Sequence, residues 1–164
     1  METTLVLSRG GLPPMSARGC IQELTPITQG QFKRTVNGDL IFMGMQGKKY
    51  KTTISCQDTT VLATDGLIPG AIIEVSCIQV LWQKVVGGKA ALERPPVLGS
   101  ITVVDENKNP VQLIRCEEGN IEVATTEIAY VCYRPILAMR IISYTLKTNE
   151  WGVKSGWSLE LEEV

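Results

Sequence analysis

Histidine is absent from all 164 residues. That absence removes Cys/His zinc sites, Ser–His and Cys–His nucleophile pairs, and the side chain that most often serves as a general base near neutral pH. The five cysteines, Cys20, Cys56, Cys77, Cys116 and Cys132, are widely spaced and form no CxxC pair. They are expected to be reduced thiols packed as small apolar side chains. Neither sign of charge dominates: the net charge is −1, so no global field draws the chain to nucleic acid or to an anionic membrane. No apolar run approaches the roughly 18 residues of a membrane span. Met1 to Gly10, with an acidic Glu2 and a short apolar run, does not read as a secretory signal. Amphipathic helices are missing too, because apolar residues nowhere recur at a spacing of three to four over a useful length.

What the sequence holds is strand pattern. From Trp151 the odd positions read Trp151, Val153, Ser155, Trp157, Leu159 and Leu161, while the even positions are Gly, Lys, Ser and Glu. A period of two predicts a strand with one buried and one wet face, with Trp151 and Trp157 on the same side. Ile136 to Leu146 is a second apolar run, and polar Lys147 to Glu150 separates the two. The expectation is a long antiparallel hairpin over 136–161, longer than a compact barrel needs and able to project from it. Asn37-Gly38 between Phe32–Val36 and Asp39–Met43 predicts a second hairpin with a type I′ turn. Lys48 to Asp58 alternates as a half-buried strand, and Pro69-Gly70 fits a type II turn. Between Ile73 and Trp82 the apolar set slips phase by one, which predicts a β-bulge. Val85 to Ser100 carries Gly87, Gly88, Pro95, Pro96 and Gly99 and predicts a long loop. Its Gly-Gly-Lys triplet lacks the spacing and following Ser or Thr of a phosphate-binding loop.

Short strands with polar turns predict an all-β fold, a single barrel or sandwich of antiparallel strands. A chain of this length suits one domain, set at 31–164. Residues 1–30 are rich in turn formers and read as an extended N-terminal arm, since proline lacks the ladder donor and glycine a packing side chain.

Catalytic groups are sparse. Asp58, Asp65, Glu74, Glu93, Glu160, Glu162 and Glu163 supply carboxylates, but each falls on a turn or a wet strand face, and no enzyme activity, cofactor or metal site is predicted. Lys48, Lys49 and Lys51 surround Tyr50, the pairing of cations and an aromatic that holds single-stranded nucleic acid in small barrels. The plainer account is an edge strand protected by lysines, and Tyr50 falls on the face opposite Lys49 and Lys51.

Three segments resemble small structural proteins in the tails of tailed bacteriophages. They are Ser8-Arg9-Gly10-Gly11-Leu12-Pro13-Pro14 with Ser16-Ala17-Arg18-Gly19; Arg34-Thr35-Val36-Asn37-Gly38 with Lys49-Tyr50-Lys51-Thr52-Thr53-Ile54; and Tyr133-Arg134-Pro135 through Glu150-Trp151-Gly152 to Leu161-Glu162-Glu163-Val164. The resemblance implies a non-enzymatic virion component, made in the host cytoplasm and repeated around a ring at the tail tip, hub or baseplate. Its partners would be copies of itself and neighbouring tail proteins, with no membrane and no nucleic acid. Arg9, Pro13, Arg18, Tyr133, Arg134, Trp151 and Trp157 are the expected interface residues, the arginines because a planar guanidinium matches an interfacial carboxylate. The second reading is an OB-like barrel that binds single-stranded nucleic acid through Lys48, Lys49, Tyr50 and Lys51.

Overall fold

A computed structural model describes residues 3–45 and 47–164. Among them every regular element is a strand: β1 Val6–Leu7, β2 Ile21–Pro26, β3 Gln29–Arg34, β4 Leu40–Met45, β5 Tyr50–Asp58, β6 Ile72–Ser76, β7 Leu81–Val85, β8 Lys89–Ala91, β9 Thr102–Asp105, β10 Leu113–Glu117, β11 Asn120–Val123, β12 Ala129–Tyr133, β13 Ile136–Thr148 and β14 Ser155–Glu163. The fold is all-β and antiparallel.

Six strands in the order β1-β6-β13-β14-β5-β2 make a sheet that curls into a half-barrel. Its core comes from alternate positions on four strands, including Ile54 and Cys56, Ile73 and Val75, Leu137, Met139 and Ile141, and Trp157, Leu159 and Leu161. Burying each such side chain contributes about 2 kcal/mol. Slipping β14 by one residue would turn its three anchors outward and forfeit on the order of 6 kcal/mol, comparable to the whole stability of a domain. The pattern therefore fixes the register.

The C-terminal hairpin forms as expected, but its body lies inside the sheet. β13 is held by β6 and β14, and β14 by β5. Trp151 and Val153 precede β14 and sit in the connecting loop, so Trp151 does not share a strand face with Trp157. The leader is extended, and it lies against this chain's own sheet. β1 pairs with β6 and β2 with β5, while Leu5, Ser16 and Ala17 are buried. Residues 1–30 thus supply two strands to the sheet that residues 31–164 complete.

A second core fills the space between the three-stranded sheets β7-β12-β9 and β10-β11-β8, built on Val85, Val103, Ile121, Val123, Ala129, Val131 and Tyr133. The phase slip before Trp82 is a change of sheet: β6 ends at Ser76, β7 begins at Leu81, and no bulge joins them. Register shifts lie instead in β13, between Ile141 and Ser143, and in β10, between Leu113 and Arg115. Gly87 and Gly88, both at positive φ, turn β7 into β8 across the Val86–Lys89 bridge, so the expected long loop begins only after Ala91.

The two cores are tied at named points. Arg134 Nε donates to the Cys77 carbonyl at 2.7 Å and its Nη2 to the Thr4 carbonyl at 2.5 Å. Arg94 pairs with Glu163 at 2.6 Å and also donates to the Lys48 carbonyl, and Glu163 accepts from the Tyr50 amide at 2.9 Å.

Candidate interaction surface

β2 and β5 run on past the half-barrel as β3 and β4, which pair only with each other. Six paired positions at about 3.3 Å per residue make a ribbon about 20 Å long. The loop at its tip is a type I turn closed by Gly38 at φ +89, with Gly38 N–H donating to the Thr35 carbonyl at 2.9 Å. Asn37 is not at positive φ, so the expected type I′ turn is replaced by this three-residue form with a bulge.

Register assigns the ribbon's two faces. Phe32 lies opposite Phe42 and Arg34 opposite Leu40 on one; Gln31 opposite Met43 and Lys33 opposite Ile41 on the other. The phenyl rings pack with centroids 5.1 Å apart. They do not bury one another: Phe32 is 65% exposed, Leu40 59% and Val36 at the tip fully so. A lone two-stranded ribbon is marginal in water, and this one keeps apolar side chains wet on both faces. Gly30 lies opposite Gly44 near its root, where a Cβ on Gly44 would meet the Gln29 carbonyl oxygen at 2.3 Å. Only glycine permits that approach.

A shallow groove of about 260 Å³ lies on the outer face of the six-stranded sheet, lined by Glu23, Thr25, Lys51, Ile142, Glu160 and Glu162 among others. The β13 bulge sets Ile142, 44% exposed, beside Glu160 and Glu162. Three carboxylates face one ammonium in the lining. Arg140, paired in register with Glu162, turns its guanidinium to the Gly70 carbonyl at 2.7 Å.

The expected interface residues do not form one surface. Tyr133 and Trp157 are 1% and 3% exposed and belong to the two cores. The Pro13 carbonyl accepts from Ser16, and Arg134 is taken up by the ties to Cys77 and Thr4. Arg18 grips Asp58 through Nη2 at 2.6 Å, and this guanidinium holds the carboxyl well below the usual carboxylate range. Arg9 and Trp151 are outward, Trp151 being 90% exposed in the β13–β14 loop.

The nucleic-acid candidates also diverge. Lys48 is paired with Glu93 at 2.6 Å, and Tyr50 has the Arg94 guanidinium 5.9 Å from its ring centroid, where a base would stack. Lys48 and Tyr50 line a cleft of about 220 Å³ with Trp82 and Lys84. Lys51 lines the outer groove instead. Lys49 is exposed. The exposed Trp82, at 59%, and the Phe32–Phe42 pair escaped the sequence reading, because alternation shows which residues share a face and not whether that face is covered.

Three of the seven candidate carboxylates are held in ion pairs: Asp58 with Arg18, Glu93 with Lys48, Glu163 with Arg94. A cavity of about 790 Å³ is an open concavity by β8, β10 and β11 that includes Lys89 and Glu122, an ion pair at 3.5 Å. No cluster of His, Cys, Asp and Glu suited to a metal ion occurs among the described residues. No protein-family profile, no curated protein and no solved structure matches this chain.

Proposed function

We propose that this protein is a non-enzymatic structural component of a bacteriophage tail, assembling as a ring at the tail tip, hub or baseplate with copies of itself and flanking tail proteins. The observation that carries the reading is the β3–β4 ribbon, an element with wet apolar side chains on both faces that pairs with no other strand among the described residues. A ribbon of this kind is costly for a lone monomer and becomes useful where it lies against another chain. The half-barrel supplies a rigid base for it, since β2 and β5 anchor both of its arms. The expected contacts move accordingly. The N-terminal arm and the C-terminal hairpin, which carried the sequence expectation, act mainly within the subunit, and the ribbon takes their place. Trp151 at the hairpin tip stays available for a flanking protein.

The reading frames beside the gene test this directly. Tail genes on either side, including one of tape-measure length, and recovery of the chain from purified virions are the expected results. A gene set with no virion components would overturn the proposal.

A further inference from the structure

The ribbon and the groove have complementary chemistry. Gln29 to Met45 carries the adjacent cations Lys33 and Arg34 against the single anion Asp39, on a body of exposed Phe32, Leu40, Ile41 and Met43. The groove offers Ile142 at its β13 side, Glu160 and Glu162 beside it on β14 and Glu23 on β2, with Lys51 the one opposing charge in its lining. We infer that the β3–β4 ribbon of one copy lies in the outer-face groove of the next, its Phe32 and Leu40 against Ile142 and its Arg34 among the carboxylates.

The inference rests on the assembly reading above and deepens it by naming the contact. Ribbon-to-ribbon pairing would satisfy the apolar side chains equally well. It would also set Lys33 and Arg34 of one copy among their counterparts on the other, and like charges brought together at an interface count against that arrangement. A ribbon-to-groove contact joins different patches, so it runs head to tail and closes into a ring when the rotation allows. Within one chain the ribbon leaves the β2–β5 end of the sheet and makes no strand pairing with the outer face, which leaves the groove open to a second copy. A ribbon about 20 Å long and two strands wide covers less than the roughly 800 Å² per partner of a stable pairwise interface. One contact is therefore weak, and closure of the ring, in which each copy makes two contacts, gives the assembly its stability.

Sedimentation velocity of the full-length protein over a wide concentration range tests this, with thermal melts to show that each variant is folded. The wild type is expected to self-associate as concentration rises. Arg34→Glu and Glu160→Arg, or Glu23→Arg should Glu160→Arg melt early, are each expected to weaken association at least about tenfold. Mixing Arg34→Glu with Glu160→Arg chains joins the intact ribbon of the second to the intact groove of the first, and at the other contact sets the two reversed charges against each other. The mixture is expected to associate more strongly than either variant alone. If Glu160→Arg and Glu23→Arg assemble like the wild type while Arg34→Glu does not, or if the wild type remains monomeric throughout, the contact is overturned. The phage-tail reading is decided separately by the flanking genes.

Discussion

Trp157 Nε1 donates to the Ser16 carbonyl at 2.7 Å, joining the last strand to the proline-bearing leader across 141 positions of sequence. Both residues are buried, and the bond holds the leader beside Trp157, whose ring shares a core cluster with Ala17. Trp157→Phe keeps most of the packing and leaves a buried acceptor without its donor, a loss of about 2 kcal/mol. Urea unfolding should show a lower midpoint at unchanged slope. Trp157→Ala, which also opens a cavity, should cost about 3–5 kcal/mol.

Arg94 and Glu163 form an ion pair between the two cores, at 2.6 Å with side chains 18% and 10% exposed. Arg94→Met leaves the Glu163 carboxylate in a protein environment with the Tyr50 amide still donating to it, and should cost about 3 kcal/mol or more. Arg94→Met with Glu163→Leu removes both charges and should recover part of that loss, which a double-mutant cycle by urea unfolding measures. Losses that simply add across Arg94→Met, Glu163→Leu and the double variant would show that the charges themselves are not coupled.

Asp58 sets the direction of an acid-limb dependence. Arg18 donates to its carboxylate, and with the Thr59 amide it lowers the folded-state pKa from an ordinary value near 3.8. The unfolded chain therefore takes up the proton first as the pH falls. The contribution is complete above the unfolded value and drains away as pH drops toward the folded one. Asp105, lowered chiefly by the Asn109 amide, acts in the same direction. Urea midpoints followed from pH 6 to pH 2 should fall less steeply in Asp58→Asn than in the wild type.

The strands that one-sided burial dictates were legible in the sequence. β5 and β14 alternate because one face meets the core and the other meets water, and the Pro69-Gly70 turn is set by local chemistry, with Gly70 at φ +91. Trp151 misled because the loop between β13 and β14 happens to keep the strand's parity, so a loop residue fell in phase with Trp157. The change of sheet after Ser76 looked like a bulge for a similar reason: a phase slip does not say whether the ladder continues. The ribbon's role was hidden because Phe32, Leu40 and Phe42 read like any strand residues. Whether a second layer covers them depends on the path of the whole chain. The groove was hidden because Glu23, Ile142 and Glu160 meet only through pairing of β2, β5, β14 and β13.

Thiol chemistry should separate the five cysteines. Burial pushes the Cys20 thiol up to about 12, with the neighbouring Cys56 thiol adding to it, and burial pushes Cys77 up to about 11. Cys56 and Cys132 are buried, and Cys116 on β10 is exposed. At pH 8 a disulfide reagent should titrate one thiol quickly in the native protein and all five after denaturation. Cys116→Ser should abolish the fast phase.

The glycine pair at the ribbon's root separates the ribbon's order from the stability of the body. A Cβ on Gly44 would lie 2.3 Å from the Gln29 carbonyl oxygen and 2.5 Å from the Gly30 Cα, both backbone atoms, so Gly44→Val must pry β3 from β4. Among the described residues the ribbon contributes none to either core cluster, so the unfolding stability of the body should move by under about 1 kcal/mol. Amide exchange should show the difference: Phe32 to Arg34 lose protection while β5, β13 and β14 keep theirs. Gly47→Ala, with nothing within 4 Å of the added Cβ, is the matched control and should leave every amide unchanged. If Gly44→Val instead unfolds the half-barrel, the ribbon is an integral part of the sheet's stability. Its apolar faces would then need no partner to explain them.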